Sequence, residues 1–124
     1  MLALVTDGLG VGDTAAMEAG YGLHVRIDSV PGKGDELEKL LREAAGALEE
    51  DDGCLLYLVS RSPGPSETVF VTELWTSKQA HDASLEDERT RAAIARGRPM
   101  IASFGSEELR PVGGKTGTRG QPSG

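Results

Sequence analysis

Residues 21–50 read YGLHVRIDSVPGKGDELEKLLREAAGALEE, and the period of the apolar residues changes partway along. Tyr21, Leu23, Val25 and Ile27 alternate with Gly22, His24, Arg26 and Asp28. A period of two is that of a strand with one covered face. Pro31-Gly32-Lys33-Gly34 breaks the alternation. Beyond it, Leu37, Leu40, Leu41, Ala44, Ala45 and Leu48 recur at the spacing of an amphipathic helix. This helix is expected over residues 35–50. It ends in Glu49-Glu50-Asp51-Asp52, four carboxylates against the negative end of the helix dipole, and Gly53 supplies the stop.

Working outward, residues 54–60 and 67–75 are apolar runs of strand length. Arg61-Ser62-Pro63-Gly64-Pro65-Ser66 between them is turn-forming, so the pair reads as an antiparallel hairpin. Ser77 can cap a helix through Lys78-Gln79-Ala80, and a second helical stretch is expected over about residues 86–102, weakened near Gly97 and Pro99. A last strand around residues 103–109 contains Ser106-Glu107-Glu108, which suits an exposed edge. The order β-α-β-β-α-β is the split βαβ, ferredoxin-like plan: an α+β fold with a four-stranded antiparallel sheet and both helices on one face. The strands are apolar on both sides, so the second face needs a cover. A second copy packed sheet to sheet supplies one, and a homodimer is expected.

Composition bounds the function. The chain has 124 residues, 38% hydrophobic and 27% charged, which describes one globular domain. A net charge of −7 argues against nucleic-acid binding, because phosphates would repel it. Cys54 is the lone cysteine, and His24 and His81 share no ligand spacing, so neither a disulfide scaffold nor a structural metal is expected. No apolar run is long enough to cross a membrane, and none of the usual marks of a leader accompanies the start MLALVTDGLG, so a cytoplasmic protein is expected. Glycine-rich residues 1–20 and 113–124 read as flexible tails around a domain at 21–112, and Met17 would serve as a start as well as Met1 does.

Pro31-Gly32-Lys33 before a leucine-periodic helix, Asp52-Gly53-Cys54 opening the next strand, Glu73-Leu74-Trp75 ending the third, and Thr76-Ser77-Lys78-Gln79-Ala80 opening the second helix form an ordered set. Together they resemble the antibiotic biosynthesis monooxygenase domain, the quinol monooxygenase-like group, over about residues 21–112. The resemblance implies a dimeric α+β barrel. In some members it implies oxidation of aromatic phenols or quinols by O2 without a cofactor or metal; others degrade haem, and many have no known activity. The expected ligand is a small aromatic, quinol- or polyketide-like molecule held between sheet and helices. The alternative is a non-catalytic small-molecule-binding or structural dimer.

Four residues are candidates for the site. His24, on the face opposite Leu23, Val25 and Ile27, is expected to point into the barrel as an acid-base group. Glu73, beside Val71 and Trp75, is either a base or half of an ion pair, with Arg26 as its partner. Trp75 and Tyr57 are candidate substrate-binding residues, and each type serves equally as packing. The family pattern W-x-S-x-x-A-x-x-x-H reads Trp75-Thr76-Ser77-Lys78-Gln79-Ala80-His81-Asp82-Ala83-Ser84 here, with Ser84 in place of His. His81, rotated by most of a turn, is not expected to replace it. Ile94 stands where the haem-degrading branch resembles a His, which argues against haem. Arg89, Arg91, Arg96 and Arg98 read as a solvated helix face, and Cys54 as a small buried hydrophobe.

Overall fold

A computed structural model describes residues 19–115. The expectations for residues 1–18 and 116–124, including the start at Met17, lie outside the described residues. The elements are β1 (Tyr21–Ser29), α1 (Gly34–Ala47), β2 (Cys54–Arg61), β3 (Thr68–Trp75), α2 (Lys78–Ser84), α3 (Glu88–Gly97), a 3-10 turn (Arg98–Met100) and β4 (Ile101–Leu109). The sheet runs β2-β3-β1-β4 with every neighbouring pair antiparallel, the ferredoxin-like order expected from the sequence.

Register decides which side chains share a face. Leu23 lies opposite Glu73, Val25 opposite Val71, and Ile27 opposite both Val69 and Phe104. Tyr57 and Val59 join this face from β2. The helices lie over it, and Ile27, Leu37, Val69 and Val71 form the buried core. On the other face Gly22, His24 and Arg26 of β1 lie opposite Leu74, Thr72 and Phe70. The apolar residues of this open face belong mainly to β2 and β3, with Leu109 of β4, while β1 contributes His24, Arg26 and Asp28. The expectation of two apolar faces therefore holds for half of the open one. Arg26 pairs with Asp28 at 3.3 Å, so it cannot be the partner of Glu73, whose side chain is on the opposite side of the sheet.

Local chemistry moved several boundaries. α1 stops at Ala47, three residues before the expected end, and the four carboxylates fall in the turns that follow its C-cap, Leu48. Its start has no side-chain cap of its own. Glu67, from the hairpin loop, accepts from the amides of Gly32 and Gly34 at 3.0 Å and from the Ser29 hydroxyl at 3.0 Å, supplying the acceptor that Lys33 lacks. These bonds hold the Glu67 carboxyl below the usual range, the Gly34 amide contributing most.

Where the order β-α-β-β-α-β counts one helix between the third and fourth strands, the structure has two, one after the Ser77 cap and one within the stretch expected at 86–102. Ser77 caps α2 by accepting from the Ala80 amide at 3.0 Å, and Asp87 caps α3 by accepting from the Arg89 amide at 2.7 Å. α3 ends at Gly97, and Pro99 falls in the 3-10 turn. A Cβ at Gly97 would lie 3.0 Å from Leu40 Cδ2, so its absence lets α3 rest directly on α1. A register shift between Cys54 and Leu56 places Cys54 opposite Trp75, on the covered side; strict alternation would have put it with Leu56 and Leu58.

Candidate functional site

The covered face and the helices leave a cavity of about 510 Å³ between them. Leu23, Val25 and Ile27 form its floor, and α1 and α3 contribute apolar walls. Its polar groups are few, and most stand where β3 ends and α2 begins. Trp75, 1% exposed, donates its indole Nε1 hydrogen to Glu73 Oε1 at 2.8 Å. Glu73 is buried, and that indole is its only hydrogen-bond partner among the described residues. Burial raises its carboxyl above the usual range, against smaller opposing effects of the Trp75 hydrogen bond and of His81. The expected ion pair is thus replaced by a desolvated acid with an aromatic N–H donor.

His81 also lines the cavity. Its ring meets Trp75 edge-on at 5.5 Å between centroids and lies 5.2 Å from the Tyr21 ring. Nδ1 is 3.0 Å from Asp82 Oδ1. A carboxylate there favours the tautomer with hydrogen on Nδ1, which leaves a lone pair on Nε2. Asp82 is itself 3.3 Å from Lys78 Nζ, and the Tyr21 hydroxyl donates to Glu108 at 2.9 Å. Burial, then the bond to Glu108, pushes the Tyr21 phenol up to about 12, so it remains a donor.

Tyr57 lines the cavity, and its hydroxyl makes no hydrogen bond among the described residues. Burial first, and then the nearby Glu73, holds its phenol far above the usual range, which keeps it a neutral donor. Cys54 is pushed up to about 11 by burial and next by Glu73, so it is a thiol rather than a nucleophilic thiolate.

Of the four candidates, the structure brings Glu73, Trp75 and Tyr57 to one cavity and leaves His24 on the other side of the sheet. His24 is exposed, 3.3 Å from Thr72 Oγ1 and stacked on Phe70 at 5.8 Å. The reason is the alternation itself: Leu23, Val25 and Ile27 face the helices, so His24 must face away. His81, which the sequence reading set aside, lines the cavity together with Ser84. Positions three apart on a helix are neighbours on one face, and that spacing was the available signal. The Ser84 hydroxyl is occupied by the His81 carbonyl of the same helix.

Among the described residues, no group of three His, Cys, Asp or Glu side chains could hold a metal ion, and no helix is long and apolar enough to cross a membrane. The model of the antibiotic biosynthesis monooxygenase family matches residues 20–96. The chain belongs to that family. A provisionally assigned family member from Chloroflexus aurantiacus is 38% identical, with 77% of this chain and 96% of that one aligned at a TM-score of 0.70. A second, from Caulobacter crescentus, is 26% identical over 80% of this chain and 95% of that one, at a TM-score of 0.71. A Shewanella oneidensis protein at 18% identity shares the fold over 78% of this chain and 95% of its own, with a TM-score of 0.71. No match was found among proteins of curated function. The monooxygenase family match ends at Arg96, within α3, so it spans β1 to β3 and most of the helical wall of the cavity.

Proposed function

We propose that this family member binds a flat, mostly apolar aromatic molecule carrying a phenolic or quinol hydroxyl and promotes its oxidation by O2. The observation that carries the reading is Glu73: a buried carboxyl without an ion-pair partner among the described residues, in a largely apolar cavity. Such a group has two uses. It accepts a hydrogen bond from a hydroxyl buried with it, and it is more avid for a proton than an exposed carboxylate is.

In this reading Glu73 takes the proton of the bound phenol and His81 Nε2 receives it in turn, close enough to solvent to release it. Tyr57 donates to the phenolate oxygen. The electron-rich anion passes one electron to O2, and the resulting radical and superoxide combine to form a carbon–oxygen bond. For an anthrone-like methylene, the peroxide then loses water and a carbonyl remains, so one oxygen atom enters the product and the other leaves as water. The protein contributes orientation and a dry enclosure, while the substrate contributes the electrons.

We propose further that two copies pair through their open sheet faces, where Leu56, Leu58, Phe70, Leu74 and Leu109 would bury one another. A second reading, a binding protein without turnover, is favoured by one observation. Ser84 stands where the family pattern has His, and its hydroxyl is used up by its own helix.

Oxygen uptake with a panel of anthrones and quinols separates the two. Consumption matched by product formation supports the oxidase. A rise in Tm with these compounds and no oxygen uptake would overturn it in favour of the binder.

A further inference from the structure

The four arginines at the end of the helical stretch have different fates. Arg89 lies 3.4 Å from Asp87, Arg91 lies 3.7 Å from Glu86, and Arg96 lies 3.3 Å from Glu43. Arg98 has no carboxylate within ion-pair distance among the described residues, and it lines the cavity. Lys39, Arg110 and Lys115 likewise have no ion-pair partner among the described residues, but none of them borders the cavity. In a chain of net charge −7, a cation without a partner at a cavity wall is an exception.

Its position is also informative. Glu73 lies opposite Leu23 in β1, whereas Ile101, just beyond the turn that carries Arg98, lies opposite Ser29. Six residues of strand at about 3.3 Å each separate these two rows by about 20 Å. An Arg98 side chain laid along the cavity toward Glu73 would bring that span to the order of a polycyclic ring system with one substituent. The space between is apolar. Leu85, Ile94 and Phe104 border it at 39%, 43% and 67% exposed, which marks where it opens to solvent.

We propose that the ligand is an aromatic carboxylic acid: its hydroxyl lies at Glu73 and its carboxylate at Arg98, with the ring system along the apolar floor. A guanidinium presents a planar pair of N–H donors that matches a carboxylate, and Arg98, exposed at the rim of the cavity, has them free to offer among the described residues. Arg98 thus determines specificity and orientation, placing the hydroxyl end rather than the acid end beside Glu73. A carboxylate at the Glu73 end would face the one buried acid of the cavity, so the reverse orientation is disfavoured.

This inference rests on the cavity being the binding site, and the test keeps the two apart. Quenching of Trp75, the single tryptophan, is measured with a monohydroxyanthraquinone carboxylate and with its primary carboxamide, at low and high salt. The wild-type protein is expected to bind the acid at least about fivefold tighter than the amide, despite its own negative charge, and the preference should shrink with salt. Arg98→Gln should remove the preference while leaving the affinity for the amide unchanged. Arg89→Gln, at a paired arginine, should change neither. Equal binding of acid and amide by the wild-type protein, or an undiminished preference in Arg98→Gln, overturns the role of Arg98 and leaves the cavity reading standing. No quenching and no rise in Tm with either compound overturns the cavity reading and this inference with it.

Discussion

The two sides of β3 make a direct comparison, because the same eight residues supply both. Toward the helices stand Val69, Val71, Glu73 and Trp75, each 8% exposed or less. Toward the open side stand Thr68, Phe70, Thr72 and Leu74, opposite Asp28, Arg26, His24 and Gly22. Each side carries an ionisable group beside an aromatic ring: Glu73 with Trp75, and His24 with Phe70. Only the first is desolvated, and its burial raises the Glu73 carboxyl above the usual range. Residue type nominated both; exclusion of water separates them.

The comparison can be broken most severely at Trp75. Trp75→Phe removes buried volume and the only donor to Glu73 among the described residues, and should cost about 2–4 kcal/mol in chemical denaturation. A loss below 1 kcal/mol would show that the indole neither fills the core nor supports the carboxyl.

Glu73→Gln comes next. Turnover should fall about a hundredfold if the carboxyl is the base. Stability should move the other way. A carboxyl whose folded value is raised adds stability below its ordinary value and loses it as pH climbs through the raised one. The Gln variant should therefore have a higher Tm than wild type at pH 8 and the same Tm at pH 4. A lower Tm at pH 8 would mean that the ionised form is held by a partner.

On the open side, Leu58→Glu puts a charge where Leu58 is 50% exposed. It should raise the dissociation constant of the proposed dimer at least about tenfold, measured by sedimentation, with the protomer still folded. A wild-type protein that sediments as a monomer at micromolar concentration removes the pairing altogether. The smallest effect belongs to His24→Ala, which should leave turnover within about twofold and stability within about 0.5 kcal/mol. A hundredfold loss of turnover there would move the chemistry to the open face.

The fold was legible because its signal is periodic. The change from a period of two to helical spacing at Pro31-Gly32-Lys33-Gly34 and the Pro-Gly-Pro turn of the hairpin suffice to order the elements. Three of the four site candidates, Glu73, Trp75 and Tyr57, were legible for the same reason, since strand alternation places them with the core face. The same alternation located His24 correctly on the open face, and the cavity lies on the other side of the sheet. His81 was missed because a departure from the family pattern at Ser84 drew attention to what that position lacked. Its neighbour on the same helical face already carried an imidazole. The Ser77 cap and a helical start near residue 86 were both legible; the cap at Asp87 was not, because it is a local side-chain event that apolar periodicity does not register.

Gly97 sets the height of the cavity, because there the helical wall rests on Leu40 with no side chain of its own between. Because a single missing methyl lets α3 settle onto Leu40, the height of the roof above the sheet is set at a crossing point between two helices. An added methyl must either turn the Leu40 δ-carbon aside or lift the end of α3, and Arg98 is the next residue along. Substrate thickness and the aim of the guanidinium are therefore geared together. Evolution or engineering could retune this protein for a bulkier ring system through one hinge-side hydrogen atom, without altering any group that touches the reacting centre.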